Sequence, residues 1–170
     1  MIVTLIGMPG SGKSSVGKLL AARLGFAFVD TDKVIEAERG ESLQKVLDGL
    51  GSERFLESEA KTVIESLRDA TVLAPGGSVV YSEAAMRKVA AESTVVYLHC
   101  GLSVFEKRIG GMPRGIVGGI EKTLADLYAE RTPLYEKWSV MTVDGEPSAE
   151  DVTTDILRLW NFVPTTSATS

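Results

Sequence analysis

Gly7-Met8-Pro9-Gly10-Ser11-Gly12-Lys13-Ser14 has the spacing of a phosphate-binding loop and follows an apolar run, Ile2-Val3-Thr4-Leu5-Ile6. A strand that feeds a glycine-rich turn points successive amides inward, and a helix opening near Lys13 adds the positive end of its dipole. Lys13 then reaches the outer phosphates of a nucleotide, and the Ser14 hydroxyl ligates magnesium. Gly7, Gly10, Ser11, Gly12, Lys13, Ser14 and Ser15 are the expected nucleotide-binding residues, with ATP and Mg2+ as cofactors.

A second chemical cluster follows the next presumed strand, in Phe28-Val29-Asp30-Thr31-Asp32. The carboxyl ends of parallel strands form the ligand crevice, so these carboxylates should face the phosphate loop. Two acids at i and i+2 in extended chain point the same way, one toward the magnesium shell and the other toward an acceptor hydroxyl. A helix N-cap at Asp30 or Thr31 is the competing reading. Ala74-Pro75-Gly76-Gly77-Ser78 follows the third strand, either as a plain tight turn or as backbone that approaches a small anionic ligand. Residues 110–119 carry five glycines around Arg114. They read as a connector or, beside a phosphate loop, as a mobile lid that brings an arginine over the phosphates. Arg131-Thr132-Pro133-Leu134-Tyr135 lies in a helical pattern, with Pro133 read as an early helix position.

The elements that must position these residues alternate between short apolar runs and helical patterns, the signature of an α/β fold with a parallel sheet. Strands are expected over 3–6, 27–29, 71–73, 94–99 and 140–143. Helices are expected over 13–24, as a pair across 34–67, and over 83–90, 102–108, 121–138 and 149–160. Trp138 and Trp160 fall in helical patterns as packing residues. Residues 1–162 read as one domain and 163–170, small and polar, as a disordered tail.

Composition narrows the function classes. A net charge of −5 over 170 residues, with no basic stretch, argues against nucleic acid as a partner. The single cysteine, Cys100, excludes an internal disulfide and reads as a buried small hydrophobe. His99 is the only histidine, which excludes histidine-based metal sites. No apolar stretch is long enough to span a bilayer, and the N-terminus lacks the basic region of a signal peptide. A cytoplasmic protein, monomer or weak dimer, acting on a small molecule, is the expectation.

The ordered set of Gly7–Ser14, Asp30-Thr31-Asp32, Gly76-Gly77, a lid arginine and Arg131-x-Pro-Leu-Tyr resembles the shikimate kinase family over nearly the whole chain, to about Trp160. The resemblance implies a P-loop core of five parallel strands, a lid (about 109–120) and a helical substrate-binding region (about 31–60). It implies that Lys13 and Arg114 neutralise the transferring phosphate and that Asp30 helps hold magnesium through water. It further implies that Asp32 orients or deprotonates the acceptor hydroxyl, Arg131 pairs with the substrate carboxylate and Arg108 packs on the adenine. Catalysis would then rest on Lys13, Asp32 and Arg114, and acceptor binding on Asp32, Gly76, Gly77 and Arg131.

Three stretches depart from the family pattern. Where members carry Gly-Glu-x-x-Phe-Arg-x-x-Glu, this chain has Gly51-Ser52-Glu53-Arg54-Phe55-Leu56-Glu57-Ser58-Glu59, so leucine stands in place of a substrate-binding arginine. An arginine grips a carboxylate bidentately and a leucine does not. Arg54, two residues earlier, faces another direction on a helix. The third glycine after Gly76-Gly77 is Ser78, and the lid reads Arg114-Gly115-Ile116-Val117. With the phosphate machinery intact and the acceptor pocket altered, ATP-dependent phosphorylation of a hydroxyl on a small carboxylated metabolite is expected. Shikimate, giving shikimate 3-phosphate, is the first candidate by resemblance, and homoserine or another small hydroxy acid is the alternative. A noncatalytic ATP-binding module would need the phosphate loop but not Asp32, Arg114 and Arg131 together.

Overall fold

The computed structural model describes residues 1–110, 116, 117 and 122–160. Five parallel strands form one sheet in the order β2-β3-β1-β4-β5. They are β1 (Ile2–Ile6), β2 (Ala27–Asp30), β3 (Thr71–Ala74), β4 (Thr94–His99) and β5 (Met141–Asp144). β1, β3 and β4 are continuous apolar runs buried on both faces, as parallel strands under crossover helices must be. Their register is fixed by pairs such as Val3 with Val72 and Leu5 with Val96.

α1 (Lys13–Leu24) and α8 (Ala149–Trp160) cover one face, where Leu5, Leu20, Val96 and Ile156 form a buried cluster. α4 (Ser52–Glu65), α5 (Glu83–Glu92), α6 (Leu102–Ile109) and α7 (Leu124–Trp138) supply the other, around Ile6, Val63, Leu73, Val89, Phe105 and Tyr135. α2 (Thr31–Arg39) and α3 (Leu43–Leu50) build a third, smaller cluster with α4 from Ile35, Val46, Leu47 and Phe55. This cluster stands beside the carboxyl ends of β2 and β3, so it can wall a site there without disturbing the sheet.

The strand and helix expectations hold with shifted ends and three corrections. The stretch 34–67 is three helices instead of two, because the chain breaks at Gly40 and again at Gly51. α2 starts at Thr31, so Asp30 and Asp32 flank a helix start and do not share extended chain. Pro133 lies in the body of α7, not in its first turn. A short 3-10 turn at Val79–Tyr81, absent from the sequence expectation, follows the glycines after β3. Cys100 is buried, and Trp138 and Trp160 pack against the two main clusters, as expected.

Candidate active site

The sheet order reverses at β1, whose neighbours β3 and β4 lead to opposite sides, and ligands of open α/β sheets bind beyond the strand ends at such a point. A cleft of about 470 Å³ opens there. Its lining joins Lys13, Ser14 and Ser15 to Asp30 and Asp32, to Gly76, Gly77 and Ser78, and to Glu59, Arg108 and Arg131. Residues separated by more than a hundred positions thus share one cavity.

At its nucleotide end, β1 runs into the loop and Gly12 takes a left-handed conformation (φ 97°) as the N-cap of α1, with no side chain capping the helix. The first-turn amides of α1 are left for an anion, which is what a phosphate requires. Lys13 Nζ donates to the carbonyls of Gly7 and Met8, both at 2.9 Å, so its ammonium lies over its own loop. Arg108 donates to the carbonyls of Gly10 (3.4 Å), Gly145 (3.2 Å) and Glu146 (3.1 Å), bridging the loop to the turn after β5. Arg108 lines this side of the cleft, held there by the carbonyls of Gly145 and Glu146.

Ser14 Oγ donates to Asp30 Oδ2 at 2.6 Å. Asp30 Oδ1 accepts from the amides of Asp32 (3.1 Å) and Lys33 (3.4 Å), so Asp30 is also the N-cap of α2. The N-cap reading of this residue holds, and its other carboxylate oxygen meets the Ser14 hydroxyl. A hydroxyl beside a carboxylate is an oxygen donor set suited to magnesium, which keeps few protein ligands and completes its shell with phosphates and water. No group of three or more histidine, cysteine, aspartate or glutamate side chains that could hold a metal occurs among the described residues.

At the other end of the cleft, Arg131 projects from α7 and is 1% exposed. Its Nε donates to Tyr81 Oη at 3.1 Å and its Nη2 to the Val117 carbonyl at 2.8 Å, while the guanidinium lies 5.0 Å from the Tyr81 ring centroid. None of the ion pairs among the described residues includes it. A buried cation without a carboxylate partner is costly to folding and marks a place for an anion from outside.

Glu59 from α4 is buried and accepts from Ser78 Oγ at 2.8 Å. Burial, and next the nearby charge of Asp32, push its carboxyl up to about 8. A Cβ at Gly76 would lie 2.2 Å from Glu59 Oε1 and 2.7 Å from Asp32 Oδ1, so a side chain there would displace both carboxyls. Gly77 accepts from Tyr135 Oη at 2.6 Å through its carbonyl. Leu56 is turned toward the α2–α4 cluster and Arg54 is exposed, so neither adds a cation to the cleft. Arg114 lies outside the described residues, as do 163–170 and most of the expected lid.

Sequence reasoning missed Tyr81, the bond from Tyr135 to Gly77 and the Ser78–Glu59 bond. Tyr135 stood four residues from Arg131, one helical turn, and that spacing was a usable signal.

The shikimate kinase family profile matches residues 9–161. A shikimate kinase of Corynebacterium jeikeium is 36% identical over 158 residues, covering 90% of this chain and 84% of that protein. One from Frankia casuarinae is 38% identical over 160 residues, covering 92% and 70%. Among solved structures, shikimate kinase from Acinetobacter baumannii in complex with shikimate superposes with a TM-score of 0.86 at 30% identity, covering 95% of this chain and 93% of that one.

Proposed function

The chain belongs to the shikimate kinase family, which is a family of ATP-dependent phosphotransferases, and from that premise we propose that it transfers the terminal phosphoryl group of ATP to a hydroxyl of shikimate. The observation that carries the acceptor is Arg131, a buried arginine outside every ion pair among the described residues, in the same cleft as Lys13 and Asp32. Its role in this reading is to take the one carboxylate of a small hydroxylated acid.

Phosphoryl transfer asks the protein mainly for alignment and charge stabilisation. The amides of Gly7, Gly10, Ser11 and Gly12 and the first turn of α1 with Ser15 hold the phosphates. Lys13 leaves its two carbonyls to meet the outer phosphate, and Arg114 is the second cation assigned to neutralise it. Ser14 directly and Asp30 through water are the residues that would hold magnesium, whose charge neutralises the phosphate oxygens. Asp32 orients the acceptor hydroxyl and takes its proton. Gly76 and Gly77 bring backbone close to the acceptor, and Arg108 flanks the base. The same reading makes the protein a cytoplasmic enzyme of aromatic amino-acid biosynthesis, acting as one domain (1–162) and as a monomer or weak dimer.

A second reading rests on Leu56 and the exposed Arg54, which leave Arg131 the one arginine at the acceptor end among the described residues. Homoserine or another small hydroxy acid could also be held by one arginine. ADP release measured side by side with shikimate and homoserine decides between them. Saturable stimulation by shikimate is expected; faster, saturable turnover of homoserine would replace shikimate as the acceptor.

A further inference from the structure

Two of the departures from the family pattern, Leu56 and Ser78, meet at one residue. Glu59 lies one helical turn after Leu56 on α4, so a polar group at 56 would be its neighbour. Leu56 instead packs toward Ile35, Val46 and Phe55. What Glu59 has in its place is Ser78, whose Oγ donates to Glu59 Oε2 at 2.8 Å across nineteen positions of sequence.

The other oxygen, Oε1, is buried and has no hydrogen-bond partner among the described residues. It lies on the same side of the Gly76 backbone as Asp32 Oδ1, the two being 2.2 and 2.7 Å from the point where a Cβ would stand. A glutamate that is 1% exposed would not be kept in this place by solvation. One serine hydroxyl holds it against the glycine and the aspartate that the acceptor must meet.

We propose that Glu59 is a positioning residue of the acceptor site, braced by Ser78 so that its carboxyl fixes Asp32 and the Gly76 backbone in place of the charged partner that position 56 no longer supplies. The inference rests on the phosphotransferase reading above. The neutral form of Glu59 suits the task, because Asp32 then has no second negative charge beside it; Arg131 and Lys13 face the same carboxyl and oppose its protonation only in part.

The test is steady-state kinetics of the full chain with ATP and shikimate for wild type, Ser78→Ala, Glu59→Ala and Glu59→Gln. Ser78→Ala removes one hydroxyl and should lower kcat/KM for shikimate about fivefold, the effect of one hydrogen bond of ordinary strength. Glu59→Ala should lower it further, mainly through kcat, with the KM for MgATP near wild type. Glu59→Gln fills the same space, keeps the bond to Ser78 and should recover most of the loss. Equal effects of Ser78→Ala on the ATP and shikimate parameters, or none on either, would overturn the pair while leaving the phosphotransferase intact. So would a Glu59→Gln enzyme as impaired as Glu59→Ala. A wild-type enzyme inert toward shikimate would instead overturn the acceptor reading, and the pair with it.

Discussion

Ser14 Oγ donates to Asp30 Oδ2 over 2.6 Å, which ties the first turn of α1 to the end of β2 before any ligand is considered. The same carboxylate caps α2 through its other oxygen. One aspartate thus serves both the proposed magnesium corner and the start of the helix that carries Asp32. Substitutions can separate the two duties. Asparagine caps helices as well as aspartate does but carries no charge. Asp30→Asn should therefore shift the magnesium dependence of turnover to higher concentration with little change in Tm. Asp30→Ala should show the same shift and lose about 1 kcal/mol of stability besides. Magnesium titration of ADP release and thermal melts check both; equal magnesium dependence in all three proteins would remove Asp30 from the metal shell.

Lys13 rests on the carbonyls of Gly7 and Met8, a position from which a phosphate would draw it. Removing one well-placed stabilising charge of this kind commonly lowers the rate by about 10²–10³-fold. Lys13→Ala should show a loss of that order in kcat, read by coupled ADP release. Turnover near wild type would mean that another cation does its work.

The parts of this site that were legible in the sequence are those whose logic is local. The phosphate loop is contiguous, and its strand and helix follow from patterning within 24 residues. The α/β class, the five strands and the strand-end location of Asp30 and Asp32 followed from alternation of short apolar runs and helices. The local geometry at Asp30 did not, because an aspartate after a strand can continue it or cap a helix, and here its two oxygens serve both ends. Nor did the division of 34–67 into three helices, since the apolar spacing runs on across Gly40 and Gly51 while the backbone does not. Least legible were the long-range polar contacts. Tyr81 reaches Arg131 across 50 positions and Ser78 reaches Glu59 across 19. Nothing in residue type announces such pairs until the sheet has brought β3 and α7 to one cleft.

Asp32 follows the cap residue, and its Oδ1 stands against Gly76 at the acceptor end. As the group proposed to take the acceptor proton, it should be replaceable by asparagine without loss of fold. General-base removal typically lowers the rate by about 10²–10⁴-fold. Asp32→Asn should lose phosphoryl transfer to that degree and keep nucleotide affinity near wild type, measured by calorimetric titration with ADP. Loss of both together would assign Asp32 a structural duty only.

Arg131 offers a test in which activity and stability move apart. Its guanidinium is buried with two neutral acceptors and outside any ion pair among the described residues, so its desolvation is only partly offset. Arg131→Met should leave Tm unchanged or raise it. Removing one partner of a buried charged contact costs about 2–5 kcal/mol, so the KM for a carboxylated acceptor should rise at least about thirtyfold. An acceptor KM unaffected by this change would show that the carboxylate binds elsewhere.

Glu59 makes the protein's stability depend on pH in a predictable direction. Burial and the charge of Asp32 hold its carboxyl at about 8 in the fold, against a usual value of 4.5. Between these two values the unfolded chain has released the proton and the native protein still binds it, so unfolding releases a proton and rising pH favours the unfolded chain. The stability this group contributes is complete below pH 4.5 and is lost progressively up to about 8, beyond which the loss levels off. Glu59→Gln keeps the shape and the bond to Ser78 but does not titrate. The Tm of Glu59→Gln minus that of wild type should therefore grow from pH 5 to pH 8 and then plateau. A difference that stays flat over this range would mean that Glu59 titrates as an ordinary carboxylate, and that the neutral carboxyl beside Asp32 does not exist.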